Sequence, residues 1–176
     1  MPASILILPG INGSGPDHWQ TAWERAIPGA RRVLVPDWDR PDRIDWVAAL
    51  DRGVAEAGSA VVLVAHSLGC LQVVHWARDT RLHVRGALLV APPDPDGAAY
   101  PIEAASFANL PTGPLPFPST LIASEDDRYA SWAFASRCAD RWGSRLIGVG
   151  RRGHINAESG LADWPDGRRW LAELTV

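Results

Sequence analysis

Ser67, the acidic run Glu125-Asp126-Asp127 and His154 are the residues whose types and order in this chain suit acyl transfer. A serine hydroxyl attacks weakly until a base takes its proton, and an imidazole serves as that base once a carboxylate orients it. Ser67 stands in the stretch Val61-Val62-Leu63-Val64-Ala65-His66-Ser67-Leu68-Gly69-Cys70-Leu71. A branched apolar run of this kind reads as a strand buried on both faces, and a helical pattern resumes directly after it. A serine at such a strand-to-helix junction fits a nucleophile elbow. The tight turn requires small side chains two positions either side of the serine, and Ala65 and Gly69 meet that demand. Gly69 is expected there for its backbone freedom and Ala65 for its size. The plainer reading of the same residues is a strand end whose serine caps the next helix.

The elbow reading requires an acid and a histidine after later strands. Ser124-Glu125-Asp126-Asp127-Arg128-Tyr129 follows one apolar strand, and Gly150-Arg151-Arg152-Gly153-His154-Ile155-Asn156 follows the next. Serine, acid, histidine is the chain order of the α/β-hydrolases. Only one of the three adjacent acids can face His154, and periodicity alone does not choose among them. The glycine-rich loop Pro9-Gly10-Ile11-Asn12-Gly13-Ser14-Gly15-Pro16 follows the first strand. In a hydrolase such a loop gives one backbone N–H to an oxyanion hole, and the residue after the nucleophile gives another. Ile11 and Leu68 are the expected donors, with Asn12 next in line. The rival use of such a loop is dinucleotide binding, with Asp37 ending the second strand. Its spacing, Gly10-x-x-Gly13-x-Gly15, is the reverse of the GxGxxG fingerprint, and that reading leaves Ser67, the acids and His154 without work.

The remaining histidines have plainer readings. His66 is expected to support the elbow from behind, His75 to be packed or at the surface, and His83 to have no role. His18 closes the glycine loop, where it either lines the pocket mouth or sits in the first turn of a helix. Asn12, His18 and Asn156 are the candidate pocket residues.

Elements must bring these loops to one place. Ser4–Leu8 reads as the first strand, and Trp19, Ala22, Trp23, Ala26 and Ile27 mark the stripe of an amphipathic helix stopped by Pro28-Gly29. Arg32–Val35 reads as a second strand, and Ile44, Val47, Leu50 and Val54 as the face of a second helix closing at Gly58. After the elbow strand and its helix, strands are expected at Gly86–Ala91, Ser119–Ala123 and Arg145–Val149. Helices are expected around Trp132–Trp142 and from Pro165, with a short one within Ile102–Asn109. Alternation of this kind predicts an α/β three-layer sandwich, a mostly parallel six-stranded sheet with helices on both faces. Ligands of such sheets bind beyond the carboxyl ends of the strands, where the loops named above all lie.

Composition narrows the classes further. A chain of 176 residues with 47% hydrophobic and 21% charged residues reads as one globular domain. A net charge of −3 gives no nucleic-acid footprint, and no run approaches the ~20 apolar residues of a membrane span. All 17 basic residues are arginine, a bias without a functional account. Cys70 and Cys138 make no CxxC and no metal-ligand spacing, so no metal or organic cofactor is implied. The apolar N-terminus lacks a basic lead and runs into Pro9-Gly10, reading as a strand rather than a signal peptide, with a cytoplasmic location expected.

The chain resembles the small serine hydrolases of the YdeN and retinoblastoma-binding-protein type within the α/β-hydrolase superfamily. The resemblance rests on Leu8-Pro9-Gly10 with Gly13-Ser14-Gly15 and His18-Trp19, then Pro36-Asp37-Trp38, His66-Ser67-Leu68-Gly69, Asp126-Asp127-Arg128-Tyr129 and Gly153-His154-Ile155-Asn156. It implies a Ser67, Asp127, His154 triad, because the second Asp of the family's Asp-Asp-Pro-aromatic turn is the catalytic one. Arg128 stands where that turn usually has Pro, and Ala65 where Gly is common. The family also lacks a large cap domain, in keeping with the short Pro92–Pro118 connection, so small acyl esters or an exposed peptide end are the expected substrates. A protein-interaction module on a hydrolase fold, with a vestigial triad, is the alternative expectation.

Overall fold

The computed structural model describes residues 3–58 and 60–175. Six strands, β1 (Ser4–Leu8), β2 (Ala30–Arg32), β3 (Val61–His66), β4 (Gly86–Val90), β5 (Ser119–Ala123) and β6 (Arg145–Gly148), form one sheet in the order β2-β1-β3-β4-β5-β6. Every pairing between them is parallel. The helices are α1 (Trp19–Ala26), α2 (Arg43–Ala57), α3 (Leu68–Asp79), α4 (Trp132–Trp142) and α5 (Pro165–Thr175).

Both faces of the sheet are covered, so its central strands carry apolar side chains at every position. Val61, Leu63 and Ala65 of β3 point into a core shared with α2, α3 and α4, through Trp46, Leu50, Leu71, Val74, Phe134 and Trp142. Val62 and Val64 point the other way, into a second core built by Trp19 and Trp23 of α1, Trp164, and Leu171 of α5. Six of the nine tryptophans are buried in these layers.

Strand order reverses between β1 and β3, where the chain first winds one way to β2 and then crosses back through α2. Such a switch point opens a crevice at the carboxyl ends of the two strands. The glycine loop leaves β1 there and Ser67 leaves β3 there. The loops after β5 and β6 approach from the same edge.

Two expectations are corrected. β2 is Ala30–Arg32 rather than Arg32–Val35: Gly29, with φ 81°, turns the chain so that Ala30, Arg31 and Arg32 pair with Ile5, Leu6 and Ile7. Val33 still gives its N–H to the Ile7 carbonyl, but Leu34 beyond it is 75% exposed. Charged residues on an edge strand discourage pairing with other chains. Ile44 is not on the inner face of α2 but 69% exposed; Trp46, Ala49, Leu50, Gly53 and Val54 make that face. The connection from β4 to β5 holds a 3₁₀ turn at Ile102–Phe107, anchored by fully buried Ala104 and Phe107. Pro93, Pro101 and Glu103 of this connection form one wall of the crevice. Among the described residues no helix is long and apolar enough to cross a membrane.

Candidate active site

Ser67 has φ 54° and ψ −125°, a conformation that costs a non-glycine residue about 1–3 kcal/mol and persists only where its surroundings impose it. The surroundings are continuous ladders on both sides. The Ser67 N–H donates to the Val90 carbonyl at 2.9 Å, extending the β3–β4 pairing, and the Ser67 carbonyl accepts from Cys70 at 2.9 Å as α3 begins. The hydroxyl makes no capping bond to α3. It meets His154 instead, with Oγ 2.8 Å from Nε2. Gly69 is not needed for the backbone freedom expected from the sequence, because it lies within regular helix. It is needed for space: a Cβ there would overlap the Leu8 carbonyl oxygen and stand 2.9 Å from that of Pro9.

His154 Nδ1 lies 2.8 and 3.0 Å from the two carboxylate oxygens of Asp127. A carboxylate only accepts, so Nδ1 carries the proton and Nε2 presents a lone pair to the Ser67 hydroxyl. Both side chains are nearly buried, at 9% and 3% exposure. Asp127 also accepts the Tyr129 N–H at 2.9 Å, which fixes the carboxylate on its own turn without the proline that Arg128 replaces. Asp126 faces elsewhere. Its Oδ1 accepts from the Gly153 N–H at 2.8 Å and the Ser124 hydroxyl at 2.9 Å, and these bonds hold its pKa below the usual value.

The histidine loop is thus clasped from several elements. Ser124 accepts the Arg152 N–H at 2.8 Å. The indole of Trp19 in α1 donates to the Ile155 carbonyl at 2.8 Å, across a residue that is fully buried with φ 50°. His66 donates its Nε2–H to the His154 carbonyl at 2.9 Å. His66 therefore supports the histidine loop as well as the elbow, a role its position beside the serine did not reveal.

The glycine loop folds over the elbow. Gly10 packs against Ser67 so closely that a Cβ would stand 2.9 Å from the Ser67 Cβ and 3.3 Å from both the Ser67 Oγ and the Leu68 nitrogen. Among the described residues the N–H groups of Ile11 and Leu68 have no acceptor, whereas Asn12 donates its N–H to the Trp38 carbonyl at 3.1 Å. Asn12 itself is left-handed, with φ 67°.

The serine hydrolase family model matches residues 5–173. The chain belongs to the serine hydrolase family. A putative YdeN-like hydrolase from Pectobacterium atrosepticum is 32% identical, with a TM-score of 0.88 over 99% of this chain and 91% of that one. The ydeN gene product of Bacillus subtilis is 21% identical, with a TM-score of 0.82 over 98% of both chains. The RedJ thioesterase of Streptomyces coelicolor shares the fold at 16% identity, with a TM-score of 0.68 over 99% of this chain and 89% of that one. Among curated proteins none matches in sequence.

The crevice of this serine hydrolase is a cavity of about 520 Å³ in which Gly10, Ile11, Ser67, Leu68 and His154 share a wall. The candidate pocket residues Asn12, His18 and Asn156 all line it. Asn156 also caps the 3₁₀ turn Ala157–Ser159 by accepting the Glu158 N–H. His18 resolves into both of its readings, capping α1 while lining the cavity. Sequence reasoning missed Pro93, Pro101 and Glu103 from the β4–β5 connection and Asp39 from the loop after β2. No periodicity marked those loops; only the switch-point topology brings them to the crevice. The Tyr129 ring lies 4.5 Å from that of His154, centroid to centroid, and covers it. His75 is remote, buried between α3 and the Ile102–Phe107 turn with Nε2 3.0 Å from the Phe107 carbonyl. His83 is exposed. Burial pushes the thiols of both cysteines up, that of Cys138 to about 12, which leaves them inert. Among the described residues no group of three or more His, Cys, Asp or Glu side chains is placed to hold a metal ion.

Proposed function

We propose that the chain hydrolyses small acyl esters, or closely related acyl bonds, through a Ser67–His154–Asp127 triad and an acyl-enzyme intermediate. The observation that carries the reading is the unbroken relay from Ser67 Oγ to His154 Nε2 and from Nδ1 to Asp127, each link at hydrogen-bond distance. Ser67 attacks the acyl carbon while His154 takes its proton. The tetrahedral oxyanion rests on the N–H groups of Leu68 and Ile11. Collapse expels the alcohol, which leaves with the proton from His154. Water then enters on the same base, attacks the acyl-serine and releases the acid. Asp127 holds the imidazole tautomer and balances the imidazolium charge in both halves. General base catalysis contributes about 10²–10⁴-fold and each oxyanion donor about 10²–10³-fold.

Ester, thioester and amide carbonyls all meet this nucleophile in the same way, so the bond class is read as acyl and the ester as the first member to test. The substrate is a small molecule, in keeping with a cavity of about 520 Å³. Two free buried cysteines suit a reducing compartment, and the cytoplasm is the location proposed. Turnover of p-nitrophenyl acetate by the wild type and by Ser67→Ala tests the mechanism. The expected result is a loss of about 10⁶-fold in kcat with an unchanged melting temperature. A fluorophosphonate probe should label the wild type and not the variant. Equal turnover by both folded proteins would overturn the reading, and absence of labelling would favour a binding module with a vestigial triad.

A further inference from the structure

Three consecutive residues of the glycine loop are left-handed: Asn12 at φ 67°, Gly13 at 73° and Ser14 at 52°. Glycine takes such angles freely, but Asn12 and Ser14 carry side chains that disfavour them. Strain of this kind persists only where the surroundings impose it, and it collects at functional sites. Ile11 directly precedes the strained stretch, and its N–H is one of the two assigned to the oxyanion. The position of that donor therefore depends on whatever holds Asn12, Gly13 and Ser14 in place.

The hold comes from the side of the loop facing away from the crevice. Arg32 ends the edge strand β2 and pairs with Ile7 of β1, the strand from which the loop departs. Its Nη1 donates to the Gly13 carbonyl and, at 3.2 Å, to that of Ser14. Its Nη2 donates to the Thr21 hydroxyl at 2.9 Å, and that hydroxyl donates to the Ser14 carbonyl at 2.8 Å. Glu24 of α1 pairs with the guanidinium at 3.0 Å and accepts the Arg32 backbone N–H at 3.1 Å. The Arg32 side chain is only 17% exposed. A guanidinium is a rigid planar fork, so fixing one end of it on α1 fixes where its other donors point. Arg32 does not line the catalytic cavity, whereas Ile11, Asn12 and Ser14 do. It lines an open groove behind the loop with Gly13 and Trp38. Any effect of Arg32 on the reaction passes through the loop backbone.

We propose that Arg32 is a positioning residue for oxyanion stabilisation: by binding the Gly13 and Ser14 carbonyls it imposes the left-handed stretch that keeps the Ile11 N–H beside Ser67. This deepens the hydrolase reading above and rests on it. Donors that stabilise an oxyanion act through preorganisation, so a loop free to relax loses much of their effect even with every donor still present.

The test compares p-nitrophenyl acetate with its thionoester, in which sulfur replaces the carbonyl oxygen. Both release p-nitrophenol, but sulfur accepts hydrogen bonds weakly, so the thionoester draws little from an oxyanion hole. The ratio of kcat/KM for the two substrates is divided by the ratio of their alkaline hydrolysis rates, which removes intrinsic reactivity. The corrected ratio is also independent of how much of a variant is folded. In the wild type it should favour the oxygen ester by about 10²-fold. Arg32→Met keeps the apolar stem and withdraws every donor, and should lower the ratio about tenfold. Arg32→Lys returns the charge and one donor group without the fork, and should fall between the two. A purely structural role would lower the melting temperature and leave the ratio alone. A wild-type ratio in either variant, whatever its melting temperature, would overturn the proposal. So would a corrected ratio near unity in the wild type, which needs no variant. Failure of the wild type to hydrolyse either substrate would instead overturn the hydrolase reading beneath it.

Discussion

Asp126 and Asp127 are adjacent, identical in chemistry and opposite in use. Asp127 gives both oxygens to His154, while Asp126 spends one on Gly153 and Ser124 and leaves the other 3.7 Å from Arg151. Asp127→Asn keeps the shape but offers His154 an amide, which favours the tautomer with the proton on the wrong nitrogen. The expected loss in kcat is about 10³–10⁴-fold with little change in melting temperature. Asp126→Ala removes the acceptor that ties the histidine loop to the loop after β5. It should lower stability measurably while most of kcat survives. Steady-state kinetics and urea unfolding on both variants check the division. The reverse pattern would move the catalytic acid to Asp126.

At the scale of elements, the join of β1, β3 and α3 is a close approach of backbones, and two glycines allow it for different reasons. A Cβ at Gly69 would overlap the Leu8 carbonyl, so Gly69→Ala must push α3 off the end of β1. That should destabilise the fold by about 3 kcal/mol, the upper end for an overpacked core. Gly10 has φ −86° and ψ −160°, open to any residue, and its Cβ would meet the Ser67 side chain and the Leu68 nitrogen instead. Gly10→Ala must displace Ser67 slightly, and should lose about 10²-fold in kcat, as expected for a damaged oxyanion site, at a smaller cost in stability than Gly69→Ala. Thermal melts and kinetics together distinguish the pair; equal stability for both variants would contradict the close-packed join. These glycines also show what the sequence makes legible. Strand and helix identities follow from β-branched runs and apolar stripes, so β1, β3, β5, α4 and the start of α5 are readable nearly to the residue. β2 is not, because its register comes from the turn at Gly29, while Val33-Leu34-Val35 merely looks like a strand. Ser67 and His154 are legible because each stands just past a strand. The partner of His154 is not, because three adjacent acids differ only in where a turn points them. The walls at Asp39 and Glu103 depend on strand order, which no local pattern encodes.

For the molecule as a whole, the buried histidines tie folding to pH. His18 and His66 lie between the sheet and α1, and His75 between α3 and the Ile102–Phe107 turn, all with pKa values pushed below the ordinary 6.5, chiefly by burial. For His66 the neighbouring rings of His154 and His18 add to that effect. The unfolded chain takes up protons on these rings near pH 6.5, whereas folded His18 does so only near 4. Within that window the unfolded state binds more protons, so folding stability falls as pH falls. Above it all three rings are neutral in both states and stability is flat. Each histidine removes about 1.4 kcal/mol per pH unit across its window, and His18 alone removes about 3 kcal/mol by pH 4. The acids do not mask the effect. Asp126 and Asp37 are held below their ordinary 3.8 by backbone hydrogen bonds, from Gly153 and Arg40 respectively, so their contribution is lost only at still lower pH. Urea unfolding between pH 7.5 and pH 4.5 should show a plateau followed by a steep decline from about pH 6.5 downward. In His18→Asn the decline should be shallower by about one proton's worth of slope, with the difference confined to the range above pH 4. Constant stability from pH 7 to pH 5 would mean that these rings accept protons in the folded state without penalty.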